Sequence, residues 1–320
     1  MQVHGIHHVT SISAQISENL TFYTQILGLR LVKKTVNQDD VRAYHLFYAD
    51  KVGSPGTDIT FFDWPQIPVE RRGSDSICLT VFRVNGAEAL HFWLKRFEDY
   101  GVKHEAIENF AEHSILRFED SEGQRLMLMD DQGAAYTGEI WSVKGIPDEY
   151  TLRGFYAVAL SVAHLDPVQM ILTEVLSFRE VGRFPDTNGQ EVIIYEMDNG
   201  GPGQQIWLYL EPDLAPAQSG AGGTHHVAFR VKDEAQLDSW LERVKGFRLP
   251  VSKKIDRFYF QSIYFRISRG ILFEIATDGP GFAADEAPDA LGQTLALPPF
   301  LEANRAEIEA GLKPIQSERK

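Results

Sequence analysis

Four stretches decide the fold when set one beneath another: GIHHVTSIS (residues 5–13), SDSICLTVFRV (74–84), GFYAVALSV (154–162) and GTHHVAFRV (223–231). Each reads as a strand that opens a repeat, and in the segment that follows the apolar period changes from 2 to 3.6 and back. After the first come a helix over 18–27 and strands near 31–36, 43–48 and 58–62. After the second, Leu90, Trp93, Leu94 and Phe97 fall at i, i+3, i+4 and i+7 of a helix over 87–100, with strands near 103–107, 114–118 and 125–129. The third copy has a helix over 167–175 and a last strand at 205–210. The fourth has a helix over 235–244 and final strands at 262–267 and 270–275.

Four units of about 55 residues, each strand, helix, strand, strand, strand, do not suit a solenoid, because mixed sheets curl. The expected fold is α+β: four repeated βαβββ modules forming two curved half-open barrels, plus a C-terminal helical tail. Modules 1 and 2 are placed over 1–131, a linker over 132–150, modules 3 and 4 over 151–278, and the tail over 279–320. The connectors 71–75 and 215–223 separate the paired modules. Leu301, Ala303, Ile308 and Leu312 are spaced helically, so the tail is expected to pack over the outside of the sheets.

The chain has 320 residues, with 31 Lys and Arg against 45 Asp and Glu, a formal charge of −14. Net acidity without a dense basic run excludes the electrostatic footprint of a nucleic-acid binder and points to a small-molecule ligand. The single cysteine, Cys78, cannot form an intrachain disulfide; it reads as a small buried hydrophobe. No signal-peptide pattern opens the sequence, and no apolar run reaches the ~18 residues of a membrane span. The expectation is a cytoplasmic protein with no membrane partner; the tail helix offers a surface for homo-oligomer contact.

Two of the four first strands carry a His-His pair in register. Neighbouring side chains of a strand point to opposite faces, so only one histidine of each pair is expected in the cleft. Val227, Phe229 and Val231 form the apolar face of the fourth copy, which turns His226 inward. By the same register His8 and Thr10 face inward in the first copy, while the equivalent residues elsewhere, Leu79 and Ala157, cannot bind a metal. In GILFEIAT (270–277), Ile271, Phe273 and Ile275 are the apolar face, so Glu274 projects into the cleft, where a carboxylate needs a partner or a metal. Its counterparts by strand phase are Phe62, Met129 and Tyr209. Modules 1 and 4 would then form a metal site from His8, His226 and Glu274, and modules 2 and 3 a metal-free barrel. Two His and one carboxylate suit non-haem Fe(II), although zinc hydrolases use similar sets. His45, His91, His104, His113 and His164 read as structural or surface residues.

The motifs HHVT (7–10), YHLFYADKVGSPGTDIT (44–60), His225-His226, RFYFQSIYFR (257–266) and LFEIAT (272–277) together resemble the vicinal oxygen chelate (glyoxalase/extradiol dioxygenase) superfamily. They are most similar to its hydroquinone-type ring-cleaving dioxygenases, over nearly the whole chain. The resemblance implies an Fe(II)-dependent, extradiol-type dioxygenase, with His8, His226 and Glu274 as metal ligands, a small aromatic substrate and O2. His7, Thr10, His225, Arg257 and Tyr264 match residues that surround the metal or touch substrate in that family, and His7 or His225 suits proton transfer. Mn(II) in place of Fe(II), and a catechol in place of a hydroquinone, remain open at this level. Two other readings keep the scaffold: a metal-dependent isomerase or lyase of the glyoxalase type, and a metal-free small-molecule-binding protein. The first calls for a second carboxylate, expected at Phe62, with Asp63 one residue out of phase.

Overall fold

The computed structural model describes residues 1–315; residues 316–320 of the expected tail lie outside the described residues. Two eight-stranded mixed sheets make up the fold. One runs, in spatial order, Ile255–Asp256, Gln261–Arg266, Leu272–Thr277, Thr224–Val231, Ile6–Ser13, Asp58–Asp63, Asp40–Ala49 and Arg30–Asn37, so the fourth and first modules share it. The other runs Arg179–Pro185, Glu191–Glu196, Gln205–Leu210, Phe155–Val162, Ser76–Val84, Arg125–Asp130, His113–Glu119 and His104–Phe110, joining the third module to the second. In each sheet the two first strands meet antiparallel, and each first strand lies parallel to the last strand of its own module.

The helices cover the convex faces. Leu90, Trp93 and Phe97 of Ala87–Tyr100, and Leu237, Trp240 and Val244 of Glu234–Gly246, are buried in one core with Val9, Phe61, Val227, Phe229, Phe273 and Ile275. Each fully buried side chain of this kind contributes about 1.5–3 kcal/mol. The helices of modules 1 and 3 are α-helical for six residues, Ile16–Thr21 and Leu165–Met170, and then widen to π-helical turns over Phe22–Ile26 and Ile171–Val175.

The concave faces differ. That of modules 2 and 3 is filled by Leu79, Val81, Met127, Ala157, Trp207 and Tyr209, a packed interior. That of modules 1 and 4 has an apolar patch at Val32, Phe47 and Ala49, which Phe282 and Leu291 from the tail cover. Beside them the buried Lys33 ammonium reaches Asp285 at 2.7 Å and Glu286, and lies 4.6 Å from the centre of the Tyr259 ring. Farther along, Ile308 and Leu312 join the outer core. The tail is therefore divided between the two faces, and does not lie wholly outside as its helical spacing suggests, because an open apolar patch needs a cover.

A bulge recurs in all four first strands. Pairing skips one residue at His7, Cys78, Tyr156 and His225. Bulges re-aim side chains, and here they bring the first histidine of each pair round to the ring of the second. Strict alternation, which sends one histidine of each pair to the opposite face, fails at this point.

Register corrects a second expectation. Glu274 pairs with Ala228, two residues beyond His226. The same step from His8, Leu79 and Ala157 leads to Thr60, Met127 and Trp207, not to Phe62, Met129 and Tyr209. A slip of two residues keeps the face, so alternation alone does not reveal it.

Candidate metal centre

His8 stands on the strand Ile6–Ser13, His226 on its antiparallel neighbour Thr224–Val231, and Glu274 on the next strand, Leu272–Thr277. All three side chains are buried, and each offers a ligand atom within 4.8 Å of the others. The His8 and His226 Nε2 atoms are 3.3 Å apart, and Glu274 Oε2 is 3.3 Å from the first and 2.8 Å from the second. Donors about 2.1 Å from a cation and at right angles lie about 3 Å from one another, so the spacing fits a facial triad.

The polar groups around the triad favour the same occupant. Glu274 Oε1 accepts the Ser262 hydroxyl, whereas the buried Oε2 faces the Nε2 atoms of His8 and His226. A buried carboxylate is costly, and a cation held between the three groups offsets that cost. Burial opposes ionisation of Glu274, but the facing His8 and His226 hold its carboxyl well below the usual carboxylate range.

His7 sets the tautomer of His8. His7 Nε2 lies 3.1 Å from the Thr277 carbonyl, which can only accept, so Nε2 carries the ring proton and Nδ1 keeps its lone pair. His8 Nδ1, 2.9 Å away, then donates to it, which leaves His8 Nε2 bare for a cation. His225 Nδ1 lies 2.8 Å from His226 Nδ1, the same contact without a carbonyl behind it to set its direction. Burial lowers the pKa of both His7 and His225 to about 3, so both rings are neutral near pH 7.

A cavity of about 340 Å³ opens from the triad. Phe47, Phe62, Trp64, Phe260 and Leu272 give it apolar walls. Arg257 donates from Nε to the Tyr264 hydroxyl at 3.2 Å and from its terminal nitrogen to Asp39 at 3.0 Å. Burial raises the Tyr264 pKa, so the phenol stays protonated; its oxygen accepts from Arg257 and lies at the edge of the cavity. His225, Arg257 and Tyr264 border the cavity with His8, His226 and Glu274. His7 and Thr10 are set behind it: Thr10 bonds Thr60 at 2.8 Å, and Thr60 bonds His45 Nε2 at 2.9 Å.

His45 itself lines the cavity, its ring 4.0 Å from that of Phe47 and 4.4 Å from that of Phe62. Reading it as structural or surface missed this. The signal was the pairing of Asp40–Ala49 with Asp58–Asp63, which sets His45 opposite Phe62 on the concave face.

Sequence and structure comparisons bear on these features. Residues 5–128 and 155–281 match the model of the glyoxalase/bleomycin resistance protein/dioxygenase superfamily. The chain belongs to that superfamily. It is 47% identical over 317 residues, 99% of this chain and 100% of the relative, to a Bacillus subtilis (strain 168) protein, MhqA, provisionally named a ring-cleaving dioxygenase. It is 29% identical over 315 residues, 96% of this chain and 95% of the relative, to the chlorohydroquinone/hydroquinone 1,2-dioxygenase of Sphingobium indicum. A Bacillus subtilis crystal structure provisionally titled a dioxygenase superposes with a TM-score of 0.91 at 34% identity, covering 100% of this chain and 99% of that one. Among the described residues no helix is long and apolar enough to cross a membrane.

Proposed function

We propose that this member of the superfamily is a ring-cleaving dioxygenase that holds Fe(II) at His8, His226 and Glu274 and opens a hydroquinone-type ring with O2. The observation that carries the reading is the convergence of three buried ligand atoms, two imidazole nitrogens and a carboxylate oxygen, on the wall of an aromatic-lined cavity. The names of its relatives agree with it.

Bound Fe(II) supplies the redox chemistry that lets O2 react with an electron-rich ring, because three protein ligands on one side leave positions open on the other. The chain supplies the rest. Phe47, Phe62, Phe260 and Leu272 exclude water and grip an aromatic face. Tyr264 donates to a substrate oxygen while Arg257, anchored by Asp39, stabilises negative charge there. His225 differs from His7. Its Nδ1 supports His226, its Nε2 proton is not tied to a backbone carbonyl, and it borders the cavity, so it is the better placed of the two to hold a proton near the ring.

The two other readings fit less well. An isomerase or lyase with two carboxylate ligands would need one where Thr60 stands, and that hydroxyl is already engaged with His45 and Thr10. A metal-free binding protein gives no reason for three ligand atoms of His8, His226 and Glu274 to lie within 4.8 Å of one another at a buried site.

The test is oxygen consumption by the anaerobically Fe(II)-reconstituted protein with hydroquinone, methylhydroquinone, a chlorinated hydroquinone and catechol in turn. Uptake of one O2 per ring with a hydroquinone supports the reading, and preference for catechol moves the substrate class. No uptake with bound iron overturns it.

A further inference from the structure

On the far side of Trp64 and His225 lies a second recess of about 340 Å³; both residues border the two cavities at once. Its walls come from connectors that otherwise only join modules. Glu70, Asp75 and Ser76 stand on one side and Pro216, Ala217 and Ser219 on another, and the two connectors are tied by bridges between Val69 and Ala221, Arg71 and Gln218, and Ser74 and Pro216. The third side is the end of the strand Gln261–Arg266 and the turn after it, which present Arg266 and Arg269.

These arginines stand out in a chain of net charge −14. Both are solvent-exposed, and among the described residues neither side chain makes a hydrogen bond or an ion pair, whereas Glu70 in the same recess lies 3.8 Å from Arg125. Asp75 is the remaining carboxylate of the recess, so two free guanidinium groups face one free acid. A recess carrying two unpaired guanidinium groups thus adjoins the cavity across a partition of two side chains.

We propose that this recess binds the carboxylate of the ring-opened product and draws it out of the metal cavity. The inference rests on the ring-cleaving reading. Addition of O2 to a dihydroxybenzene breaks one ring carbon–carbon bond and leaves both new oxygen atoms on the product. The hydroxylated carbon becomes a carboxylic acid, its former neighbour an aldehyde, and the acid releases its proton near neutral pH. The substrate is uncharged and gains little from a guanidinium group; the product is an anion that forms charge-assisted, bidentate hydrogen bonds to one. Two free arginines beside the cavity therefore favour the product over the substrate.

The test uses cis,cis-muconate, an unsaturated six-carbon dicarboxylate, titrated calorimetrically into the metal-loaded protein and into the Arg266→Gln/Arg269→Gln variant. Affinity is expected to fall about tenfold in the variant and to weaken with salt in the wild type, while metal content and the KM for hydroquinone stay unchanged. Equal muconate affinity in the two proteins overturns the proposal, as does affinity that is lost in Glu274→Ala but kept in the arginine variant, since muconate is then held by the metal. Arginine-dependent binding without O2 uptake upholds the carboxylate site and strikes only the ring-cleaving reading. O2 uptake without arginine-dependent binding strikes the recess alone.

Discussion

The Nδ1 atoms of His7 and His8 lie 2.9 Å apart, and the Thr277 carbonyl 3.1 Å beyond His7 Nε2 fixes the direction of the proton between them. On the proposed reading His7 would act on a bound metal through His8. His7→Ala is expected to weaken metal binding about 10–100-fold while the fold persists, whereas His8→Ala, His226→Ala and Glu274→Ala abolish stoichiometric binding. Competition with a chromophoric chelator reads both effects. Wild-type affinity in His7→Ala would sink the tautomer argument.

Arg257 and Tyr264 face the cavity from one side and touch no ligand atom of the triad by hydrogen bond. Arg257→Ala is expected to retain full metal and raise KM about tenfold or more, because a charge-assisted contact to a substrate oxygen is lost. Tyr264→Phe keeps the shape of the cavity wall and removes one donor, so the loss should fall on kcat. Steady-state kinetics on metal-quantified protein separates the two, and loss of iron in either variant means these side chains support the metal instead.

Much of this site is legible in the sequence because strand phase is local. Val227, Phe229 and Val231 fix the inward face of His226, and Ile271, Phe273 and Ile275 that of Glu274. What is not local is not legible. The bulges at His7 and His225 arise from how neighbouring strands pair, as when the His7 carbonyl accepts the Gly56 amide at 2.7 Å. Identifying Thr60 and not Phe62 as the counterpart of Glu274 needs the parallel register, which alternation cannot supply. The turn of Phe282 and Leu291 into the barrel follows from an apolar concave patch assembled from Val32, Phe47 and Ala49, and from a buried Lys33 whose acidic partners are about 250 residues away in sequence.

Asp63 points away from the cleft and carries a pH dependence of its own. Burial raises its pKa to about 6, with Oδ1 lacking a hydrogen bond. The unfolded value is about 3.9, so the folded state binds the proton more tightly and stability falls as pH rises from about 4 through about 6. Asp63→Asn removes this loss. The variant is expected to exceed the wild type at pH 8 by up to about 2 kcal/mol and to match it near pH 4. Urea midpoints at the two pH values decide it; equal differences at both would show that the ionisation is not the cause.

Thr60 occupies in module 1 the place that Glu274 occupies in module 4, and it faces the same concave side. Its hydroxyl bonds Thr10 at 2.8 Å and His45 at 2.9 Å, so the fourth position is closed by a hydrogen-bonded chain and not by an anion. A carboxylate there would add charge and a fourth ligand, which tightens binding of a divalent cation and removes a position that O2 and substrate need. Thr60→Glu is therefore expected to bind Zn(II) or Mn(II) more tightly than the wild type and to lose O2 uptake with hydroquinones. Thr60→Val removes the hydroxyl without adding a ligand, and is expected to keep the metal and most of the turnover. Weaker metal binding in Thr60→Glu, or loss of metal in Thr60→Val, would mean that the chain from Thr10 through Thr60 to His45 supports the triad itself.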